Sequence, residues 1–359
     1  MTTEVAAGPS NSHPLSGLPS PSVRPMLQDT AAAKRRNENI DVIRLIAALS
    51  IVYIHAVRSL PLDASRNLFR FAVPFYLFAS FYFQSLSLRK RTDRTLWQYI
   101  LGRFKRLYVP YLAWSVIYLV ARDIRRRLTL HTGPTPLKVG LLWKGVEYHL
   151  WFLPYLLAGS ILLAVIHWTT LRQDRRWRWP LVVAAGVAGL AFAYAHLPSN
   201  WDQPFDNPTY AYAQYWRAMP AMCWAMGFAW LMTAGPVVYS VSVPIGFAGV
   251  LLAVFCSVKQ YMHGILLVPR ALTGLGCILA ALAPWNAAAV PGLAKLGRLS
   301  YGIYLCHVLF SEFVRNIGMH FHMHDSVQLD MLVFSCTLLG SIATVLALAR
   351  SPKTAWLNG

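Results

Sequence analysis

Residues 40–55 read IDVIRLIAALSIVYIH, an apolar run interrupted by one carboxylate, one guanidinium and one imidazole. Taken alone, sixteen residues fall short of the ~20 that a membrane-spanning helix needs. The run is not alone. Apolar segments of similar character lie near 40–60, 68–88, 105–121, 149–168, 180–197, 216–234, 237–255, 263–283, 297–318 and 329–350. The chain of 359 residues is 56% hydrophobic and only 13% charged, with a mean hydropathy of +0.42. Soluble domains carry about 25% charged residues. The reading is an all-α polytopic bundle of about ten transmembrane helices. A β-barrel would show short alternating segments in place of these uninterrupted runs.

The net charge of +19, from 33 Lys+Arg against 14 Asp+Glu, would suggest nucleic acid in a soluble protein. In a membrane protein it reflects the Lys and Arg that collect in cytoplasmic loops, so no nucleic-acid partner is expected. Ten spans put both ends of the membrane domain on one side. Basic clusters at Lys34–Arg36, Arg89–Arg106 and Arg172–Arg178 make that side the cytoplasm. The stretch 122–148 is the weak point, because it is basic although it falls on the exported side. Residues 1–39, rich in Ser, Pro and Ala, read as a disordered cytoplasmic tail without an apolar signal-peptide core. Residues 40–350 form the membrane domain and 351–359 a short cytoplasmic tail. The five cysteines are scattered without CxxC spacing, so neither a disulfide framework nor a zinc site is expected.

Ionisable groups inside spans are costly and usually mark function. In the first run, Arg44 and His55 are eleven residues apart, three turns plus about 20°, and so share a helix face about 16 Å apart along the axis. Asp41 lies on the same face, three residues from Arg44, placed to orient it but too far from His55 to form a dyad. The bland alternative is a snorkelling arginine and a hydrogen-bonded core histidine. Arg103 and Arg106, beside Lys105, precede the third run with the spacing of a phosphate clamp or of an ordinary positive-inside cluster. Ser300, Tyr304 and His307 recur at i, i+4 and i+7 and make one polar stripe, while Tyr301 faces elsewhere. Interhelical hydrogen bonding would explain that stripe equally well. Arg270 is a pathway charge or an interfacial one, and Glu147 reads as interfacial. His320, His322 and His324 lack the acidic or Cys partners of a metal site, so no metal is expected. Trp177, Trp179, Tyr210, Tyr212 and Tyr215 fit interfacial belts.

Together these features resemble the acyltransferase-3 family of integral-membrane acyltransferases over Ile40–Arg350. The resemblance rests on the Arg44–x10–His55 spacing, Val73-Pro74, Arg103-x-x-Arg106 with Pro110, His149-Leu-Trp-Phe-Leu153, and Leu296-Gly-Arg-Leu-Ser-Tyr-Gly-Ile-Tyr-Leu-Cys-His307. Phe78-Ala-Ser-Phe81 departs from the family's usual Ser-Gly-Phe, which bears on how closely backbones approach there. No esterase-like domain is appended, as in stand-alone members.

The resemblance implies transfer of an acyl group, usually acetyl from cytoplasmic acetyl-CoA, to a hydroxyl of a glycan or lipid-linked sugar. The setting would be exopolysaccharide biosynthesis at the bacterial inner membrane, with polysaccharide-assembly proteins as possible partners. It places the family's functional residues on Arg44, His55, Arg103, Arg106 and His307. The chemistry is compatible. Arginines at the cytoplasmic mouth would hold the polyanionic donor. An imidazole, titrating at about 6.5 when unperturbed, suits a base that takes the hydroxyl proton. Direct transfer with His55 as base and an acyl-histidine relay both stay open. So does a competing class, a flippase for lipid-linked sugars, although it would not explain the order of the motifs.

Overall fold

The structure, a computed structural model, describes residues 38–90, 93–127, 131, 138–195, 207, 209–233, 244, 248, 251, 255, 267–283, 291–323 and 326–358. Residues 1–37 of the expected N-terminal tail and most of the segment near 237–255 lie outside them, while Glu38 and Asn39 begin the first helix. Among the described residues every regular element is a helix. In chain order the α-helices of seven residues or more are α1 (Glu38–Ala56), α2 (Leu60–Phe69), α3 (Ala72–Lys90), α4 (Leu96–Arg125), α5 (Phe152–Ile166), α6 (Arg178–Tyr194), α7 (Tyr210–Met232), α8 (Leu267–Leu282), α9 (Pro291–Gly297), α10 (Ser300–His320) and α11 (Val327–Ala349).

Nine of the ten apolar segments coincide with one of these helices. The largest departure is α4, which begins at Leu96, well ahead of the apolar run. Its start is set by hydrogen bonding: Thr95 accepts from the Gln98 N–H at 3.2 Å, and Gln98 Oε1 accepts from the Thr95 N–H at 3.1 Å. This reciprocal cap satisfies two otherwise orphan donors whatever the hydropathy of the turn. Among the described residues five helices are long and apolar enough to cross a membrane: Glu38–Ala56, Ser65–Lys90, Phe152–Leu171, Arg175–Tyr194 and Val327–Ala349. The ten-span count goes beyond those five. α4 and α10 fall below that apolarity, and both turn polar side chains inward, Tyr118 and Arg103 from one, His307 and Arg315 from the other.

Helix ends sort into two groups. At the Glu38 end, Asn39 Nδ2 donates to the Ala283 carbonyl at 3.0 Å, tying α1 to the end of α8. Gly297 lies so close to the Asp41 carbonyl that any Cβ would overlap it. At the Ala56 end, Asp330 Oδ2 accepts the N–H groups of Arg58 (3.0 Å) and Ser59 (2.8 Å). Tyr53 meets Phe69 there at 4.5 Å between ring centroids, so α3 runs back and delivers Arg89 to the Glu38 end.

Most of the core is one cluster whose largest fully buried side chains include Tyr111, Phe75, Phe78, Phe81 and Leu77, with small separate clusters of Val42 with Ala294 and of Ala56, Leu329 and Val333. Where the family resemblance leads one to expect a glycine near Ala79, the close approach is made from the other side. A Cβ on Gly159 would sit 2.7 Å from Phe81 Cζ. On the periphery, Val183, Val187 and Leu190 of α6 and Leu339 of α11 stay exposed. Apolar faces of that kind are stable against lipid and costly against water, at about 25 cal/mol per Å².

Candidate active site

His55 occupies the last turn of α1, His149 the turn before α5, and His307 the middle of α10. Packing brings the three imidazoles together near the Ala56 end. Ring centroids are 5.2 Å apart for His55 and His307, 4.9 Å for His149 and His307, and 6.4 Å for His55 and His149. His149 and His307 are fully enclosed, whereas His55 is half-buried. Tyrosines wall the cluster: Tyr148 lies 5.0 Å from His55, Tyr118 5.4 Å and Tyr304 5.5 Å from His149.

The polar stripe of α10 is used as its spacing predicts. Tyr304 donates its hydroxyl to the His149 carbonyl at 2.5 Å, which fixes the turn carrying that histidine. His307 Nδ1 lies 2.8 Å from the Tyr304 carbonyl. A carbonyl only accepts, so Nδ1 carries the hydrogen in the neutral ring and Nε2 holds the lone pair. Nε2 is buried and meets no protein partner. A buried basic nitrogen without a partner requires an explanation, and a substrate hydroxyl supplies one. Ser300 is buried at the other end of the stripe, against the Tyr76 hydroxyl, which in turn donates to the Arg44 carbonyl at 3.1 Å.

Arg44 pairs with Asp41 at 3.5 Å, as their spacing predicts, and keeps its head partly exposed. Asp41 is itself enclosed and takes a second cation, Arg298, at 3.6 Å. Arg103 turns inward, donating to the Tyr99 hydroxyl at 3.2 Å and to Gln84 Oε1 at 3.3 Å. Gln84 is anchored through Nε2 to the Ser160 carbonyl at 2.5 Å. Arg106 is exposed. Thus Arg44 and Arg103 hang on different neighbours, one on α1 and α9, the other on α3 and α5.

A feature that sequence reasoning passes over holds His55 in place. Arg315 and Asp330, both buried, pair at 3.0 Å. Arg315 also donates to the carbonyl of Ala56, the residue after His55. The last turn of α1 is therefore capped by a side chain of α10, and its following N–H groups by a carboxylate of α11. His149 is likewise assigned no role by its sequence context, although it opens the His149-Leu-Trp-Phe-Leu153 stretch on which the family resemblance partly rests.

Other candidates resolve differently. Glu147 pairs with Arg122 at 2.9 Å, and burial pushes its carboxyl above the usual range despite that guanidinium. Arg270 donates to Asn67 Oδ1 at 3.0 Å, joining α8 to α2. Tyr215 is not a belt residue: its ring stacks on Tyr155 at 5.1 Å and its hydroxyl donates to the Trp143 carbonyl at 2.6 Å. Its helix face is turned inward. Trp177 and Trp179 are exposed as a belt requires. His320 and His322 are exposed, and His324 lies outside the described residues. Among the described residues no three His, Cys, Asp or Glu side chains converge as a metal site.

A family model described as an acyltransferase domain matches residues 37–350. The chain belongs to the acyltransferase-3 family. Membership points to a membrane acyltransferase, the activity class to which the buried histidines and the inward arginine must be fitted. The serine/alanine racemase of Enterococcus gallinarum is 30% identical over 137 residues, covering 36% of this chain but 19% of that protein. The chain thus spans about a fifth of the curated relative it matches. No solved structure matches it.

Proposed function

We propose that the protein is an O-acyltransferase of the bacterial inner membrane. It moves an acyl group, acetyl above all, from cytoplasmic acyl-CoA to a sugar hydroxyl of an exopolysaccharide or its lipid-linked precursor. The observation that carries this reading is the bare Nε2 of His307 beside His55, inside the tyrosine-walled cluster at the Ala56 end. The Glu38 end, with Arg44, Arg103 and Arg106, faces the cytoplasm in this reading.

The residues divide the work. Arg44, Arg103 and Arg106 hold the donor's phosphates, for which guanidinium geometry is suited. Asp41 and Tyr76 orient Arg44. The acceptor hydroxyl approaches from the exported side. Its oxygen attacks the thioester carbonyl while His55 takes its proton. The carbon–sulfur bond breaks, and the proton returns to the departing thiolate to give free CoA. His307 Nε2 accepts a hydrogen bond from the hydroxyl or from His55 and so aligns the pair. General base catalysis of this kind contributes about 10²–10⁴-fold.

The test incubates purified protein with radiolabelled acetyl-CoA and a lipid-linked oligosaccharide fraction, comparing wild type with His55→Ala. Label in the glycan with wild type alone supports both the reaction and the base. Equal label with both keeps the reaction and removes His55 from it. Transport of the oligosaccharide without release of CoA would replace the enzyme with a carrier.

A further inference from the structure

Four arginines and a histidine converge at the Glu38 end, away from the imidazole cluster. There a cavity of about 300 Å³ opens among the ends of α3, α5 and α7 and the start of α6. Its lining includes Arg89, His167, Trp168, Arg172, Arg175 and Arg178. No carboxylate is among its described lining residues. Asp174, next in sequence, is occupied in accepting the Arg176 N–H at 2.8 Å.

The cavity is built rather than a chance gathering of loop charges. Arg89 is anchored to the Thr233 carbonyl, which joins α3 to the end of α7. Arg178 has a buried Nε that meets no protein acceptor. α5 ends in a widened π turn, His167–Leu171, closed by the Arg172 N–H on the His167 carbonyl at 2.9 Å. That turn brings His167, Trp168, Leu171 and Arg172 to one cavity, and single π turns are frequent at functional sites. Guanidiniums gathered this closely repel one another. A polyvalent anion relieves this. Guanidinium forks match phosphate oxygens in geometry as well as charge.

We propose that this cavity binds a phosphate group. Its position suits two sources. The exposed indoles of Trp177 and Trp179 flank it and set it at headgroup depth, where an anionic phospholipid presents phosphate. The cavity is also open to a phosphorylated nucleotide from solution, whose phosphate would meet Arg172 where that guanidinium lies over the Trp168 ring, 5.7 Å from its centroid. The site stands apart from the acyl-transfer reading, since it requires no reaction.

Two probes separate the sources, both with the full-length protein and no acyl donor. One is radiolabelled adenosine 3′,5′-bisphosphate, bound to protein in phosphatidylcholine nanodiscs. The other is phosphatidylglycerol, retained by protein purified from vesicles of phosphatidylcholine and phosphatidylglycerol. The variant Arg172→Gln/Arg175→Gln removes two exposed guanidiniums, with Arg172→Lys/Arg175→Lys restoring charge. Expected is about a tenfold loss of one probe in the Gln variant and partial recovery in the Lys variant. The probe affected names the source. Binding of neither probe by wild type, or binding unchanged in the Gln variant, overturns the proposal. Because no turnover is read, a failed acylation assay leaves this result intact.

Discussion

His55 and His307 are separated by most of the chain, yet their ring centroids lie 5.2 Å apart, and the Nδ1 of His307 is taken up by the Tyr304 carbonyl. In the proposed reaction the two rings act on one acceptor hydroxyl. Each single replacement by Ala is expected to lower kcat for acyl transfer by about 10²–10⁴. The double variant is expected to lose little more than the worse single one, since groups that act as a unit are not additive. Single-turnover acylation by the four proteins checks this. Multiplied losses would mean that the two histidines serve separate steps.

The arrangement at Tyr304 is a second point of leverage. Its hydroxyl donates to the His149 carbonyl, so Tyr304→Phe removes a buried hydrogen bond and leaves the shape. The cost to stability is expected at about 1 kcal/mol, from the bond itself and the carbonyl left without its donor. Transfer rate is expected to fall more than stability does, because His149 and its neighbour His307 then lose their common support. Thermal midpoint and kcat measured on one preparation separate these effects.

These residues also show how much could be read in advance. The i, i+4, i+7 stripe of Ser300, Tyr304 and His307 and the Asp41–Arg44 pair are local, set by helical periodicity, and both stand in the structure as spaced. Helix positions were legible for a related reason, since they follow runs of apolar residues, although only five of the described helices are long and apolar enough to span. His149 was not, because its role comes from three segments meeting, and no periodicity within one segment records that. The Arg315–Asp330 pair is hidden in the same way: its partners lie on different helices. Likewise α4 starts at a hydrogen-bonded cap that hydropathy does not register.

Arg315 and Asp330 are positioning residues, and their removal has a distinct signature. Asp330→Asn or Arg315→Met leaves a buried charge without its counter-charge and loosens the turn that carries His55. Either is expected to cost on the order of 3 kcal/mol. The double variant Arg315→Met/Asp330→Asn is expected to be more stable than Arg315→Met, since no charge is then left stranded. Thermal midpoints in detergent of the four proteins check this. A double variant no better than the singles would show that the cap on the Ala56 carbonyl, rather than charge pairing, is what matters.

Gly297 tests whether the Glu38 end is as tightly joined as it looks. The polypeptide of α9 approaches α1 so closely that a Cβ at this position would overlap the Asp41 carbonyl, which is backbone and has no rotamer to yield. Gly297→Ala must therefore push α9 away from α1. That movement carries Arg298 away from Asp41, and Asp41 is the carboxylate that holds Arg44. The expected result is a lower thermal midpoint, with a destabilisation of about 1–3 kcal/mol as for other overpacked sites. In an active preparation, KM for acyl-CoA is expected to rise more than kcat falls, because in the proposed reaction Arg44 holds the donor. Gly292→Ala in the same helix, where a Cβ meets open space, is the control and is expected to change neither quantity. A fall in kcat with KM unchanged would instead couple this contact to the histidines at the far end.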